Sequence, residues 1–212
     1  MPITKGHFPQ NFPGFAWAGT QGQSAQANLP VRFNTEWSTP YSGALVDTAS
    51  LGGTTTGVMV AVPCPVDVGM EISKISVLIG AGGAGTPTHS FAALYSGTTV
   101  AAPPLIGQTT DGLTAAIAAS TRFDFSFAAG SQQVITAAQA PYGFVYVAIA
   151  VTASTVPSCV TTPCGAAAAQ YRWFTNTPLY FSQTSGSAVA GTAPATLINA
   201  STLVVAPVVL LW

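Results

Sequence analysis

The stretch LIGAGGAGTPTHSFAALYSG holds the strongest match to a chemical motif in this sequence. Gly80, Gly82 and Gly85 give the G-x-G-x-x-G spacing directly after an apolar run that predicts a strand. In a dinucleotide-binding loop the third glycine opens a helix whose amide groups face the pyrophosphate. Here Gly97 limits any helix to about two turns, and the next acid, Asp111, lies beyond a Pro-Pro turn. The pattern therefore favours a glycine-rich connection between two strands, with several residues free to adopt positive φ.

A histidine and a serine, His89 and Ser90, stand side by side, and both types serve in nucleophilic catalysis. Adjacent residues of a strand point to opposite faces, however, and the sharp G-x-S-x-G turn is missing. We expect His89 to lie on a strand and to bond a backbone carbonyl. Among the six acids, Asp67 and Glu71 are closest, but they flank a V-G-M turn, where solvated carboxylates are common. No catalytic residue is predicted, and we do not expect an enzyme.

The three cysteines do not form a metal site by spacing. Cys159 and Cys164 either close a small disulfide loop or remain two thiols. Zinc needs about four ligands, and the two histidines, His7 and His89, are remote in sequence. Cys64, between two prolines, is expected to be a small buried hydrophobe. No metal or cofactor is predicted.

Charge is scarce: charged residues make up 5% of the chain, and the formal net charge is −1. An ordinary domain carries about 25%. The five cations are scattered singly, which argues against binding to a phosphate backbone, so nucleic acid is not an expected partner. A protein with so little net charge tends to associate, because repulsion between copies is missing.

The apolar fraction of 49% raises the question of a membrane segment. The two longest apolar runs, residues 144–151 and 203–212, fall short of the ~18 residues that a spanning helix needs, and Pro207 interrupts the second. No membrane partner is expected. The stretch MPITKGHFPQNFPGF has no apolar signal region, so we expect synthesis and folding in a cytoplasm.

Residues 1–42 are predicted to form an extended arm, because proline and aromatic residues recur there without a strand or helix period. Burying each large aromatic is worth about 2 kcal/mol, so the arm should pack on its own domain or on a neighbour. Its aromatic residues are Phe8, Phe12, Phe15, Trp17, Phe33 and Trp37.

Residues 43–212 are predicted to form one all-β domain, an antiparallel β-sandwich or jelly roll, because short apolar runs alternate with Gly, Pro, Thr and Ser turns. In RFDFSF, Phe123, Phe125 and Phe127 share one face of a half-buried strand. GFVYVAIAV, residues 143–151, is apolar on both faces, as expected of a covered central strand. The stretch DGLTAAIAAS, residues 111–120, is the best candidate for a short helix.

Two segments of this domain resemble virion structural proteins of tailed bacteriophages, especially those infecting actinobacteria. The segments are ISVLIGAGGAGTPTHSFAALYSG and APYGFVYVAIAVTASTVPS, and the serine after Tyr95 departs from an Asp that is frequent in the family. The matching positions are Gly85, Thr86, Thr88, His89, Ala93, Leu94, Tyr95, Tyr146, Val151, Thr152, Ala153, Thr155, Val156 and Pro157.

The resemblance implies a β-sandwich or jelly-roll module located in the virion, as a capsid decoration or a minor tail or fibre component, commonly a homotrimer. Its expected partners are other copies of itself and the major capsid or tail proteins, and it transfers no active-site residues. We expect assembly contacts from the arm and the C-terminal VVLLW, through Phe8, Phe12, Phe15, Trp17, Trp37, Leu210, Leu211 and Trp212.

The alternative function is a carbohydrate-binding module that recognises host surface glycans. In that case Tyr171, Trp173 and Tyr180 would stack on sugar faces. Arg172 beside this Trp could also stack on a sugar, although ordinary packing is the favoured role.

Overall fold

A computed structural model describes residues 32–33, 46–50, 59–97, 102–163, 181–183, 191–197, 201–202 and 205–212. Short runs of alternating or continuous apolar residues form strands throughout these ranges. The strands are β1 (Arg32–Phe33), β2 (Val46–Ser50), β3 (Met59–Pro65), β4 (Glu71–Ile72), β5 (Lys74–Leu78), β6 (Gly85–Ser96), β7 (Leu105–Gln108), β8 (Arg122–Ser126), β9 (Gln133–Val134), β10 (Phe144–Thr155), β11 (Ser158–Pro163), β12 (Phe181–Gln183), β13 (Ser201–Thr202), β14 (Val205–Pro207) and β15 (Val209–Leu211).

The strands pair antiparallel in sheets of six, four, three and two strands within the described ranges. The six-stranded sheet has the order β13-β12-β3-β10-β6-β7, and the four-stranded sheet has the order β1-β15-β5-β8. The same ranges contain no helix. The predicted all-β antiparallel fold is confirmed, while the sandwich or jelly-roll form and the boundary at residues 42/43 stay predictions.

Strand β10 is the centre of the six-stranded sheet, with β3 on one side and β6 on the other. Every side chain from Phe144 to Val151 is buried, which confirms the predicted central strand. Its alternating side chains enter two separate apolar clusters. Val145 and Val147 lie in one cluster, and Tyr146 and Ala148 lie in the other, because successive residues point to opposite faces.

The larger cluster joins the two biggest sheets. Ile75 and Val77 of β5, Phe125 of β8 and Leu211 of β15 pack in the same cluster as Val147 of the six-stranded sheet. The predicted alternation in RFDFSF is also correct. Phe125 and Phe127 are buried and Phe123 packs against the cluster, whereas the side chain of Asp124 is directed to the other face, where it bonds Ser76.

The glycine stretch connects two strands, as predicted, because Gly85 begins β6 instead of a helix. Within this stretch, positive φ falls on Thr86, at 45°. The glycines instead permit close packing. A Cβ on Gly83 would lie 2.6 Å from the carbonyl oxygen of Ile117 and 2.9 Å from the amide nitrogen of Ala119.

The predicted short helix at residues 111–120 is wrong, since this segment consists of turns and irregular backbone. Leu113 and Ser120 have positive φ, at 47° and 55°, which a right-handed helix does not permit. Ile117 enters the larger apolar cluster, and its carbonyl accepts a hydrogen bond from the amide of Ala84. Contacts with distant segments therefore outweigh the helix propensity of the alanines.

The first and last described strands are neighbours, because Arg32 pairs with Leu211 and Phe33 pairs with Leu210. The remaining aromatic residues predicted for the arm, Phe8, Phe12, Phe15, Trp17 and Trp37, lie outside the described residues. Cys64 is buried, as predicted. Cys159 is buried too, whereas Cys164 lies outside the described ranges, so both alternatives for this pair, a disulfide or two thiols, stay open.

Candidate functional site

The outward face of the four-stranded sheet carries a polar network around Trp212, which we name the tryptophan face; it comprises Lys74, Ser76, Arg122, Asp124 and Trp212. Cross-strand pairing positions these side chains, since Ser76 lies opposite Asp124. Trp212 continues β15 beside Lys74, with main-chain hydrogen bonds in both directions. The indole Nε1 donates to the Ser76 hydroxyl at 2.8 Å, and that hydroxyl donates to Asp124 Oδ1 at 2.6 Å.

Both cations of this face contact the same carboxylate and the same ring. Lys74 Nζ lies 3.1 Å from Asp124 Oδ2, and Arg122 reaches the carboxylate through Nε at 3.0 Å and Nη2 at 3.2 Å. Lys74 Nζ is 4.9 Å and Arg122 Cζ is 5.1 Å from the ring centroid of Trp212, within cation–π range. The network fixes the indole, and its side chains carry two positive charges and one negative charge.

Asp124 is ionised over a wide pH range. Burial alone would raise the pKa of Asp124, but the Ser76 hydroxyl and the charges of Lys74 and Arg122 outweigh burial and hold the pKa below its ordinary value. The carboxylate therefore stays charged and keeps both cations in place at neutral pH.

A second surface, which we name the apolar end, consists of Val68, Val134 and Tyr142. Their exposed fractions are 61%, 55% and 50%. Asp67 and Glu71 are exposed beside them and add two negative charges. Exposed apolar groups gathered at one place are typical of a contact surface.

Main-chain hydrogen bonds hold the three segments of the apolar end together. The amide of Gly69 donates to the carbonyl of Ile135 at 2.7 Å, and the amide of Val66 donates to the carbonyl of Gly143 at 2.9 Å. Val134 lies directly opposite Glu71 in the pairing of β9 with β4. Residues 66–71 thus lie against residues 134–143, so the segments that carry the three exposed side chains adjoin one another.

A histidine–carboxylate pair lies elsewhere, at the edge of β6. His89 is on a strand, as predicted, but the expected carbonyl partner is wrong: His89 Nδ1 lies 2.6 Å from Asp111 Oδ2. Asp111 Oδ1 also accepts from the amides of Ser90 and Leu113, at 2.9 and 3.0 Å. Burial alone would raise the pKa of Asp111, but the hydrogen bond from His89, the two amides and the His89 charge hold it below its ordinary value.

This pair does not form a catalytic triad with Ser90. Its Oγ is buried against Gly112 on the opposite side of the strand, where no hydrogen-bond partner lies among the residues that the structure describes. Asp111 instead connects the irregular loop to β6, because it bonds the main chain of both.

The residues predicted to make assembly contacts have different positions. Leu210 and Leu211 are buried within the chain itself, and Trp212 is partly exposed on the tryptophan face. The predicted glycan-stacking residues Tyr171, Trp173 and Tyr180 lie outside the described residues, as does Arg172. Sequence reasoning did not identify Lys74, Ser76, Arg122 and Asp124 as a group, although alternation on β5 and β8 gave the signal that they share the face opposite the apolar residues.

Across the portion of the chain that the structure describes, no group of three or more His, Cys, Asp or Glu residues is arranged to hold a metal ion. That portion also lacks any helix with the length and apolarity needed to cross a membrane. Comparison with protein-family models, with curated proteins and with solved structures finds no match.

Proposed function

We propose that this chain is a structural protein of a tailed-bacteriophage virion, as a capsid decoration or a minor tail or fibre component. It acts through contacts with copies of itself, as a homotrimer, and with the major capsid or tail proteins. The resemblance of residues 75–97 and 140–158 to such proteins motivates the proposal. Its function in this proposal is adhesion to a larger particle, and no chemical step is involved.

The observation that carries the proposal is the apolar end. Val68, Val134 and Tyr142 are each at least half exposed in a chain with only eleven Lys, Arg, Asp and Glu residues. Covering such groups is worth about 25 cal/mol per Å² of apolar surface, and a protein of low charge has little electrostatic repulsion to oppose the contact. Repeated copies on one particle would add avidity to a modest single contact.

Substitution at the centre of this surface tests the proposal. Val134→Lys should raise the dissociation constant of the homo-oligomer at least tenfold, because an ammonium group must be desolvated in the contact. The new ammonium group would lie opposite Glu71 in the pairing of β9 with β4, so the substitution is compatible with the folded strand. Leu113→Lys is the matched control, since Leu113 is 55% exposed but lies in the loop that Asp111 holds.

The measurement is native mass spectrometry together with light scattering over a concentration series, with thermal unfolding as the check on folding. A wild-type protein that stays monomeric at hundreds of micromolar would contradict the proposal, as would equal effects of the two substitutions. The virion location has a separate test: peptides of this chain are expected in particles purified from cells that carry its gene. Their absence from such particles would refute that location.

A further inference from the structure

The apolar end is negatively charged at its margin. Glu71 is exposed there, opposite Val134. If two copies met through this same surface, their two Glu71 carboxylates would approach one another while water was excluded. Like charges placed together across a contact cost free energy and suppress that pairing. The charge therefore favours a partner surface that is apolar and positive.

The tryptophan face has those two properties. Lys74 and Arg122 provide two positive charges against the single carboxylate of Asp124. Their side chains are 28% and 45% exposed, so donors remain accessible beyond the three that already bond the carboxylate. The Trp212 ring adds apolar surface, and the Ser76 hydroxyl fixes its orientation. Binding at this face costs little side-chain entropy, because ion pairs and hydrogen bonds already hold Lys74, Arg122 and Trp212 in place.

We infer that the apolar end of one copy docks on the tryptophan face of the next copy. The inference rests on the proposed function, in which copies of this chain associate. The contact joins two different surfaces. Copies joined in this way form a closed ring when the rotation from each copy to the next brings the last copy back to the first. The two surfaces share no residue, since β4 and β9 carry one of them and β5 and β8 carry the other. Each copy can therefore offer one surface to each of its two neighbours in a small ring.

Photo-crosslinking from the apolar end tests this docking. The variant Tyr142→p-benzoylphenylalanine keeps an aromatic side chain at a half-exposed position, and Val68→p-benzoylphenylalanine serves as a second probe if the first does not fold. Mixed nitrogen-15-labelled and unlabelled copies distinguish cross-links between chains from those within one chain. We expect inter-chain cross-links to residues 74–78, 122–126 or 212.

A charge substitution gives an independent readout. Lys74→Gln and Glu71→Gln should each raise the dissociation constant of the oligomer, by up to about fivefold, because each removes one side of an attraction across a partly exposed contact. Thermal unfolding of each variant shows whether the monomer fold is intact.

The outcomes separate this inference from the proposed function. Inter-chain cross-links to residues 66–71 or 133–143 would show an end-to-end contact and overturn the inference, as would an oligomer cross-linked only elsewhere. Unchanged dissociation constants for both charge variants would also overturn it. In each of these cases association itself would stand. A chain that is monomeric at every concentration would instead refute the proposed association.

Discussion

Asp111 and Asp124 each collect several donors on one carboxylate. Asp111 accepts from the amides of Ser90 and Leu113 and bonds His89, while Asp124 bonds Ser76, Lys74 and Arg122. Both carboxylates lie in partly buried positions, where a lost partner is not readily replaced by water. The folded state therefore stabilises the charged form of both carboxylates.

The free energy of unfolding should fall as the medium is acidified. Both aspartates have a folded pKa below the ordinary value of 3.8, so their stabilisation is complete above about pH 5 and is lost as pH falls through the folded pKa values. Urea unfolding from pH 7 to pH 2.5 measures this loss. The Asp111→Asn/Asp124→Asn variant should show a shallower acid dependence than the wild type. An identical slope for the two proteins would contradict the assignment.

At the scale of residues, the sequence predicts to which face of a strand a side chain points, but it does not predict which distant residue that side chain bonds. Period-two alternation correctly places His89 and Ser90 on opposite faces of β6. The bond from His89 to Asp111 spans 22 positions and depends on the path of an irregular loop, which no local pattern encodes. The same limit applies to Trp212 and Ser76, which are 136 positions apart.

Among the elements, the glycine connection between β5 and β6 is constrained by its neighbours. Gly83→Ala should lower the free energy of unfolding by about 1–3 kcal/mol, because the added Cβ meets main-chain atoms of Ile117 and Ala119 that cannot easily move. Gly82→Ala is the matched control. Its Cβ would lie 3.3 Å from the hydroxyl of Ser158, a short side chain that can rotate.

Urea unfolding at neutral pH measures both glycine variants. An equal loss for the two substitutions would argue against close main-chain packing at Gly83. For each variant, the unfolding free energy should depend on urea concentration with the same slope as for the wild type. An equal slope would show that the surface exposed on unfolding is unchanged.

Element types were predictable where the pattern reflects burial. The strand at RFDFSF and the central strand at residues 144–151 follow directly from alternation and from continuous apolarity. The segment at residues 111–120 was not predictable, because helix propensity competes with the Asp111 bonds and with burial of Ile117. The apolar end was missed for a similar reason, since its three exposed side chains come from separate segments.

For the whole molecule, β10 should be the most protected strand. It has a hydrogen-bonded neighbour on each side, and the side chains of residues 144–151 are buried on both faces. Hydrogen exchange of these amides should therefore require global unfolding. Exchange measured by mass spectrometry or NMR should be slowest there and much faster in β9, where Val134 is exposed. Comparable rates in the two strands would contradict this ranking.

The four-stranded sheet draws its strands from residues 32–33, 74–78, 122–126 and 209–211, with the last of these between the first and the second. While the chain is being translated, β5 has β8 beside it but lacks β15 until residue 211 has emerged from the ribosome. Val209 and Leu211 are absent from the apolar cluster until then. This sheet cannot close before residues 209–211 have been made, and until then the apolar side chains of β5 and β8 lack part of their cover and favour aggregation.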